Sequence, residues 1–248
     1  MKAMLFSAGL GTRLYPLTKD KPKALAPFAG TTLLGYNLKF LSSQGINSFI
    51  INTHHFAGKI ENYLKKNDFF GLDITISYEE ELLDTAGGVA KIRDKINEDQ
   101  LLLYNVDVVS NIDIEKMYNY HCDNRTDITL AIRNRSTSRF LLFDDNNVMT
   151  GWKNENTGEL KRCNEKEEYN KFAFSGITIL NTDILNEIGI IEKKSLINFY
   201  LDICKNRKIL AFNHDDNFWF DCGSMEKLKR AEDFIINKYI KFNNSTNC

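Results

Sequence analysis

The residues best suited to chemistry stand near the front of the chain. Ala8, Gly9, Leu10, Gly11, Thr12 and Arg13 form a glycine turn directly after a short apolar run, and Lys21 and Lys23 follow closely. Glycines placed after a strand let the backbone approach a ligand and turn N–H groups toward an anion. Arg13 supplies a forked guanidinium for bidentate phosphate contact, and Lys23 a compact charge. Two familiar phosphate loops do not fit. The dinucleotide fingerprint needs a third glycine where Leu14 stands, and G-x-x-x-x-G-K-[ST] occurs nowhere in the chain. What remains is A-G-x-G-T-R, then P-L-T, then K-P-K, an arrangement matched to a triphosphate. The plain alternative is a strand-to-helix turn with solvated basic side chains. Four cations (Arg13, Lys19, Lys21 and Lys23) and two prolines in this one segment weigh against it.

Two aspartates are the second candidate set. Asp107 follows the apolar run at 101–104, and Asp221 follows the F-W-F run at 218–220. Open α/β sheets place their chemistry at the carboxyl ends of parallel strands. Two carboxylates brought together there would suit Mg²⁺, which prefers oxygen ligands and keeps waters and phosphate oxygens around it. Each aspartate alone has an ordinary reading. Asp107 would sit in a turn with Asn105 and Asn111, and Asp221 would be the acid ahead of a helix opening at Ser224.

The elements that must position these groups follow from hydrophobic periodicity. Residues 3–7 read as a buried strand. Thr32 caps a helix through Ser43, with Gly45 at the stop position. Strands are expected at 49–52, 74–78 and 101–104. Between them lie a helix begun near His55 and continued over 60–66, and another at 88–96. Strands alternating with helices predict a parallel α/β sheet over about the first 110 residues. In the second half, 127–133, 140–143 and 172–180 read as strands and 194–206 and 224–239 as helices. The polar stretch at 153–171 reads as a surface loop or a frayed hairpin, a place where lids are found. His54 and His55 end a strand and start a helix; adjacent strand residues point to opposite faces, so they do not share a metal. His121 and His214 receive no role.

Composition removes several function classes. The formal net charge is −1, so the basic excess of a nucleic-acid binder is missing. No window is long and apolar enough to span a membrane. Five scattered cysteines without C-x-x-C spacing read as reduced thiols, which places the chain in the cytoplasm.

Five ordered segments carry a family resemblance: the glycine loop with its P-K, L-L-D-T-A-G-G-V-A-K-I at 82–92, L-L-L-Y-N-V-D-V-V-S-N-I-D at 101–113, F-A-F-S-G-I-T-I-L at 172–180, and F-W-F-D-C-G-S-M-E-K-L-K-R-A-E at 218–232. Together they resemble the sugar-1-phosphate nucleotidyltransferases from residue 1 to about 235. The D-T-A-G-G and F-S-G-I strings and the short length look closest to N-acetylmuramate-1-phosphate uridylyltransferases, with mannose- and heptose-1-phosphate guanylyltransferases as near neighbours. The resemblance implies a Rossmann-like three-layer α/β fold with a mostly parallel mixed sheet flanked by helices. It implies one domain over 1–240, with a nucleotide-binding half (1–110), a sugar-binding half (111–240) and a polar tail (241–248). It implies transfer of a nucleotidyl group from a nucleoside triphosphate to a sugar 1-phosphate, with Mg²⁺ bridging Asp107 and Asp221. Arg13 would hold the leaving pyrophosphate, and Lys23 would contact the α-phosphate or the sugar phosphate. Ala8, Gly9, Gly11 and Thr12 would cradle the nucleotide.

For the base, Ala86, Gly87 and Gly88 offer bare backbone, and Glu79 aligns with the position that reads the base edge. An ionised carboxylate only accepts hydrogen bonds, which favours uracil or guanine and so UTP or GTP. A solvated acidic face is the alternative for this run. For the sugar, the candidates are Asn105, Ser175 and Gly176, the last read either as a close backbone approach or as a bulge. The V-E-K-P string of many hexose members is missing. Ser7, Val106 and Cys222 also depart from the usual pattern, and none of them removes a charged group. The protein is expected to be a monomer or homodimer. A catalytically silent nucleotide-sugar-binding regulator is the reading from another class, and retention of Arg13, Lys23, Asp107 and Asp221 argues against it.

Overall fold

A computed structural model describes residues 1–164, 169–189 and 191–245. Strand β1 (Lys2–Phe6) is followed by a small antiparallel pair, β2 (Pro27–Phe28) and β3 (Thr31–Thr32), and by helix α1 (Leu33–Ser43). The capping expectation for α1 holds: Thr32 Oγ1 accepts the Gly35 N–H at 3.0 Å, and Gly45 adopts φ 84° just past the end. Such a cap stabilises by about 1 kcal/mol. The chain continues through β4 (Ser48–Thr53), α2 (Ala57–Lys66), β5 (Asp73–Tyr78), α3 (Asp84–Ile92) and β6 (Gln100–Asn105). Strands β1, β4, β5 and β6 pair in parallel, in the order β6-β1-β4-β5.

The alternation of side chains along these strands builds two cores. Met4, Ile50, Leu101 and Leu103 face α3 and a later helix, α5 (Leu196–Ile203). Ala3, Leu5, Phe49, Ile51, Leu102 and Tyr104 face α1, α2 and α4 (Ile114–Asp123). A sheet covered on both faces needs strands that are apolar throughout, and that is the composition at these positions. The result is three layers.

Between β6 and α4 lies the short strand β7 (Val108–Ser110). Beyond α4 come β8 (Ile128–Arg133), β9 (Arg139–Phe143), β10 (Met149–Asn154), β11 (Leu160–Arg162), the long β12 (Asn170–Asn181), β13 (Ile209–Asn213) and β14 (Trp219–Asp221). The second half of β12 runs antiparallel between β6 and β8, so the two sequence halves share one ten-stranded sheet. Its register against β8 slips between Phe174 and Thr178, a bulge that contains Ser175 and Gly176. Strands β9, β10 and β11 extend the sheet from the first half of β12. The polar stretch at 153–171 therefore forms a hairpin over its first part, and residues 165–168 within it lie outside the described residues. The closing helix α6 (Met225–Ser245) runs past the expected boundary at 240; residues 246–248 of the tail lie outside the description. A third core, with Leu14, Phe28, Leu33, Val109, Leu228 and Ala231, seats α6 against the N-terminal loop and β7.

One expectation fails. Cys163 and Cys204 are joined in a disulfide, with Cα atoms 5.7 Å apart across 41 residues of sequence. Spacing along the chain gave no sign of it, because the fold brings the end of β11 to the end of α5. Cys122 and Cys222 stay free. Among the described residues, no helix is long and apolar enough to cross a membrane.

Candidate active site

Parallel strands that start in register also end together. Phe6 pairs with Asn52 on one side and with Asn105 on the other, so the segments leaving β1, β4 and β6 open at one edge. A cleft of about 400 Å³ sits there. It gathers Ala8, Gly9, Lys23, Glu79, Asn105 and Asp107 from the expected set, and adds Asn52, Thr85 and Lys193.

The glycine loop is shaped by its backbone. Gly11 takes φ 66°, a left-handed conformation that disfavours side chains, and a Cβ there would lie 3.0 Å from Lys23 Cβ. Thr18 Oγ1 donates to the Gly11 carbonyl at 2.9 Å, which docks the loop against Lys23. Gly9 has open space around its missing Cβ. Leu14, the residue that breaks the dinucleotide fingerprint, is fully buried and anchors the loop in the third core. Thr12 and Arg13 are exposed.

Two cations of the loop lie beside the aspartates, Lys23 in an ion pair with Asp107 and Arg13 as a through-space charge near Asp221. Lys23 Nζ lies 2.6 Å from Asp107 Oδ2 in a mostly buried pair. Strand β14 pairs with β7 so that Asp221 stands opposite Val108, and the Cys222 N–H donates to the Asp107 carbonyl at 2.7 Å. A Cβ on Gly223 would fall 2.7 Å from Asp221 Oδ1 and 2.9 Å from Arg13 Nη2, so carboxylate and guanidinium converge on that glycine. Asp221 also accepts from Lys227 Nζ at 2.8 Å and from the Gly223 N–H at 2.9 Å. Burial alone would raise its carboxyl pKa; Lys227, the Gly223 N–H and the Arg13 charge outweigh it and hold the pKa below the usual range. Between the two aspartates, burial first and then both carboxylates push the Cys222 thiol well up, so it stays neutral. The donor set fits a hard cation. Two carboxylates, one in the turn between β6 and β7 and one at the end of β14, each matched by a lysine, offer oxygens and leave positions for water and phosphate. Among the described residues no cluster of three or more acidic, His or Cys side chains forms a metal cage.

Glu79 is fully buried and already engaged. Its Oε1 accepts from Asn52 Nδ2 at 2.8 Å and its Oε2 from the Leu83 N–H at 3.1 Å. Asn52 Oδ1 in turn accepts the Ser7 N–H at 2.7 Å, so Glu79 fixes the floor of the cleft and the start of the glycine loop. A Cβ on Gly88 would meet Glu79 Oε1 at 2.9 Å; this glycine lets α3 lie against that carboxylate. Ala86 and Gly87 are not at the cleft. Their N–H groups donate to the Lys194 carbonyl, and a Cβ on Gly87 would lie 2.2 Å from the Glu192 carbonyl oxygen.

On the sugar side, Gly176 takes φ 76° and its missing Cβ leaves room for Asn105 Nδ2, which would be 2.6 Å away. The glycine is thus both a bulge residue and a close approach, to a side chain. Ser175 is turned away: its hydroxyl bonds His214 Nε2 at 2.7 Å, and its carbonyl accepts Trp219 Nε1–H at 2.9 Å. Burial, then the nearby Arg133 charge, lower the His214 imidazole to about 4 despite Asp215.

Sequence reading missed Asn52, Thr85, Lys193 and the Ser175–His214 pair. Only Asn52 left a signal, as the polar residue closing the apolar strand F-I-I-N.

A model of the family described as "Nucleotidyl transferase" matches residues 2–238. The mannose-1-phosphate guanylyltransferase of Mycobacterium tuberculosis is 34% identical over 130 residues, 52% of this chain and only 36% of that protein. The D-glycero-alpha-D-manno-heptose 1-phosphate guanylyltransferase of Campylobacter jejuni is 30% identical over 239 residues, 96% of this chain and all of that one. The crystal structure of HddC from Yersinia pseudotuberculosis complexed with GMP-PN superposes with a TM-score of 0.78 at 19% identity, over 94% of this chain and 99% of that one. The last comparison establishes the fold.

Proposed function

The chain belongs to the nucleotidyl transferase family, and we propose that it transfers a nucleotidyl group from a nucleoside triphosphate to a sugar 1-phosphate and releases pyrophosphate. One observation carries this reading: Lys23 and Arg13, from one loop, converge on Asp107 and Asp221 at the carboxyl edge of the sheet. An oxygen of the sugar phosphate attacks the α-phosphorus, the new P–O bond forms, and the bond from the α-phosphorus to the bridging oxygen breaks in line. Positioning and charge neutralisation do most of this work. The open backbone at Gly9 admits the phosphates, Arg13 neutralises the departing pyrophosphate, and Lys23 meets the α-phosphate once released from Asp107. Asp107 and Asp221 would hold Mg²⁺, which when bound supplies Lewis-acid charge and a template for the phosphates.

For the base, the relative matched over its full length acts with a guanylyl group, and that favours GTP. UTP is the second reading, including N-acetylmuramate 1-phosphate as acceptor, because an N-acetylmuramate alpha-1-phosphate uridylyltransferase is also among the relatives. Pyrophosphate release with Mg²⁺ across a grid of triphosphates and sugar 1-phosphates tests both. One strong combination names the pair. Nucleotide binding without release in any combination would replace the enzyme with a silent nucleotide-sugar-binding regulator.

A further inference from the structure

The cleft uses Arg13 and Lys23 and leaves another set of cations without a task. A second concavity of about 280 Å³ opens beside Asp221, with Arg133, Arg135, Trp219, Lys227 and Arg230 in its wall. Lys227 is matched to Asp221. Among the described residues Arg133, Arg135 and Arg230 form no contact ion pair, although the Asp215 charge acts on Arg133 and the Asp221 charge on Arg135; their hydrogen bonds go to backbone oxygens where they have any. Arg133 Nη1 donates to the Asn217 carbonyl at 3.3 Å, and Arg135 Nη2 to the Phe174 carbonyl at 3.1 Å. Arg135 Nε is buried without a partner. Both guanidiniums lie over the Trp219 ring, with Cζ atoms 4.7 Å (Arg135) and 5.9 Å (Arg133) from its centre. The indole is itself pinned by its bond to the Ser175 carbonyl.

Two like charges held against one ring are costly unless something negative completes them. Burial and the Arg133 charge both lower the Arg135 pKa, against Asp221, which raises it. A forked guanidinium with an unused N–H is a ready partner for a planar or tetrahedral oxyanion. The position also matters. Asp221 lines this concavity and also shares the Gly223 approach with Arg13, whose charge acts on it, so the pocket adjoins the reaction centre.

We propose that this concavity receives a second anionic group, a carboxylate or a phosphate, carried by the acceptor sugar 1-phosphate. The inference rests on the nucleotidyl-transfer reading and narrows its acceptor to acid-bearing sugars. Arg135 and Arg133 grip the acid, and Arg230 on α6 supplies long-range attraction. A neutral sugar 1-phosphate leaves this cluster without a ligand anion.

The test compares sugar 1-phosphates matched in the ring and differing in the acid. N-acetylglucosamine against N-acetylmuramate 1-phosphate probes a carboxylate; mannose 1-phosphate against mannose 1,6-bisphosphate probes a phosphate. The acid-bearing member of one pair should lead by about tenfold in kcat/KM, mainly through KM. Arg135→Gln should shrink that ratio to about threefold or less, and Arg230→Gln should shrink it partly. Arg230 is exposed, so its variant answers if Arg135→Gln does not fold. Equal rates for both members of each pair would overturn the proposal. So would an Arg135→Gln that slows acid-bearing and neutral sugars alike, which would assign the cluster to the common 1-phosphate. Binding is read separately from Trp219 fluorescence in a Trp152→Phe background. Tighter binding of the acid-bearing member without turnover would retain this site and remove the activity reading; equal binding would remove the site.

Discussion

Asp107 is at once the ion-pair partner of Lys23 and a proposed metal ligand, and a single substitution separates those roles. Asp107→Asn keeps the shape and removes the charge. Turnover should fall by at least about 10²–10³-fold, the scale of losing one preorganised electrostatic group at a reaction centre. Stability should change by only about 1–2 kcal/mol, since one mostly buried pair is lost. Pyrophosphate release beside a urea melt separates the two, and near-normal turnover would end the metal assignment. His214 makes a different prediction. Its folded pKa is depressed to about 4, below the ordinary 6.5 of the unfolded chain. Its stabilising contribution is therefore complete above pH 6.5, declines as pH falls toward 4, and is gone below that. Between pH 7 and pH 5 the loss should reach about 2 kcal/mol. The buried His121, whose pKa burial also lowers despite Asn181 and Asp127, adds a loss of the same sign. His214→Gln should remove the first part of the slope in urea melts; an unchanged slope would show that His214 titrates normally. These residues also mark what could be read in advance. Arg13, Lys23 and Asp107 were legible because their partners are motifs in the same chain order. The partner of Ser175 was not, since its hydroxyl answers to a histidine 39 residues away.

At the scale of elements, α1 and the parallel strands were legible because each carries its own signals: a capping threonine, a stopping glycine, an unbroken apolar run. Strands β7, β13 and β14 are three to five residues long, and each exists only because a distant partner supplies its hydrogen bonds. Hydrophobic periodicity cannot report a partner that lies 81 residues away for β13 or 109–113 residues away for β7 and β14. The same logic explains why the glycines divide in two. Gly9 faces open space, so Gly9→Ala should fold normally and raise the KM for nucleotide by putting a methyl where phosphates pass. Gly176 sits in the β12 bulge with positive φ and against Asn105. Gly176→Ala should cost about 1–3 kcal/mol from backbone strain and the displaced amide together. It should also weaken sugar-phosphate binding, because Asn105 must move. A melt and two KM values distinguish these outcomes. If Gly176→Ala were as stable as the native chain, the bulge would have to relax without cost, and Asn105 would not depend on it.

At the scale of the molecule, the extension β9-β10-β11 hangs from the first half of β12 and reaches the helical layer at the Cys163–Cys204 bond. Met149, Cys163, Ile203 and Cys204 all belong to the core packed beneath α5, so the bond reinforces a contact that packing already makes. Neither cysteine lines the cleft. The bond should therefore bear on stability and leave the chemistry alone. Closing a loop across 41 residues restricts the unfolded chain by about 4 kcal/mol in the chain-entropy account. For a chain of this size that corresponds to roughly 10 °C in melting temperature. Reduction with dithiothreitol should lower the melt by that order while pyrophosphate release at 25 °C stays unchanged. The Cys163→Ser, Cys204→Ser double variant should melt where the reduced protein does and ignore the reductant. A melt insensitive to reductant in the native protein, with four or more thiols titrating, would mean that packing alone holds the extension against α5. A fall in turnover on reduction would instead tie the extension to the cleft, through the segment from Glu192 to Lys194 that joins α3 to α5.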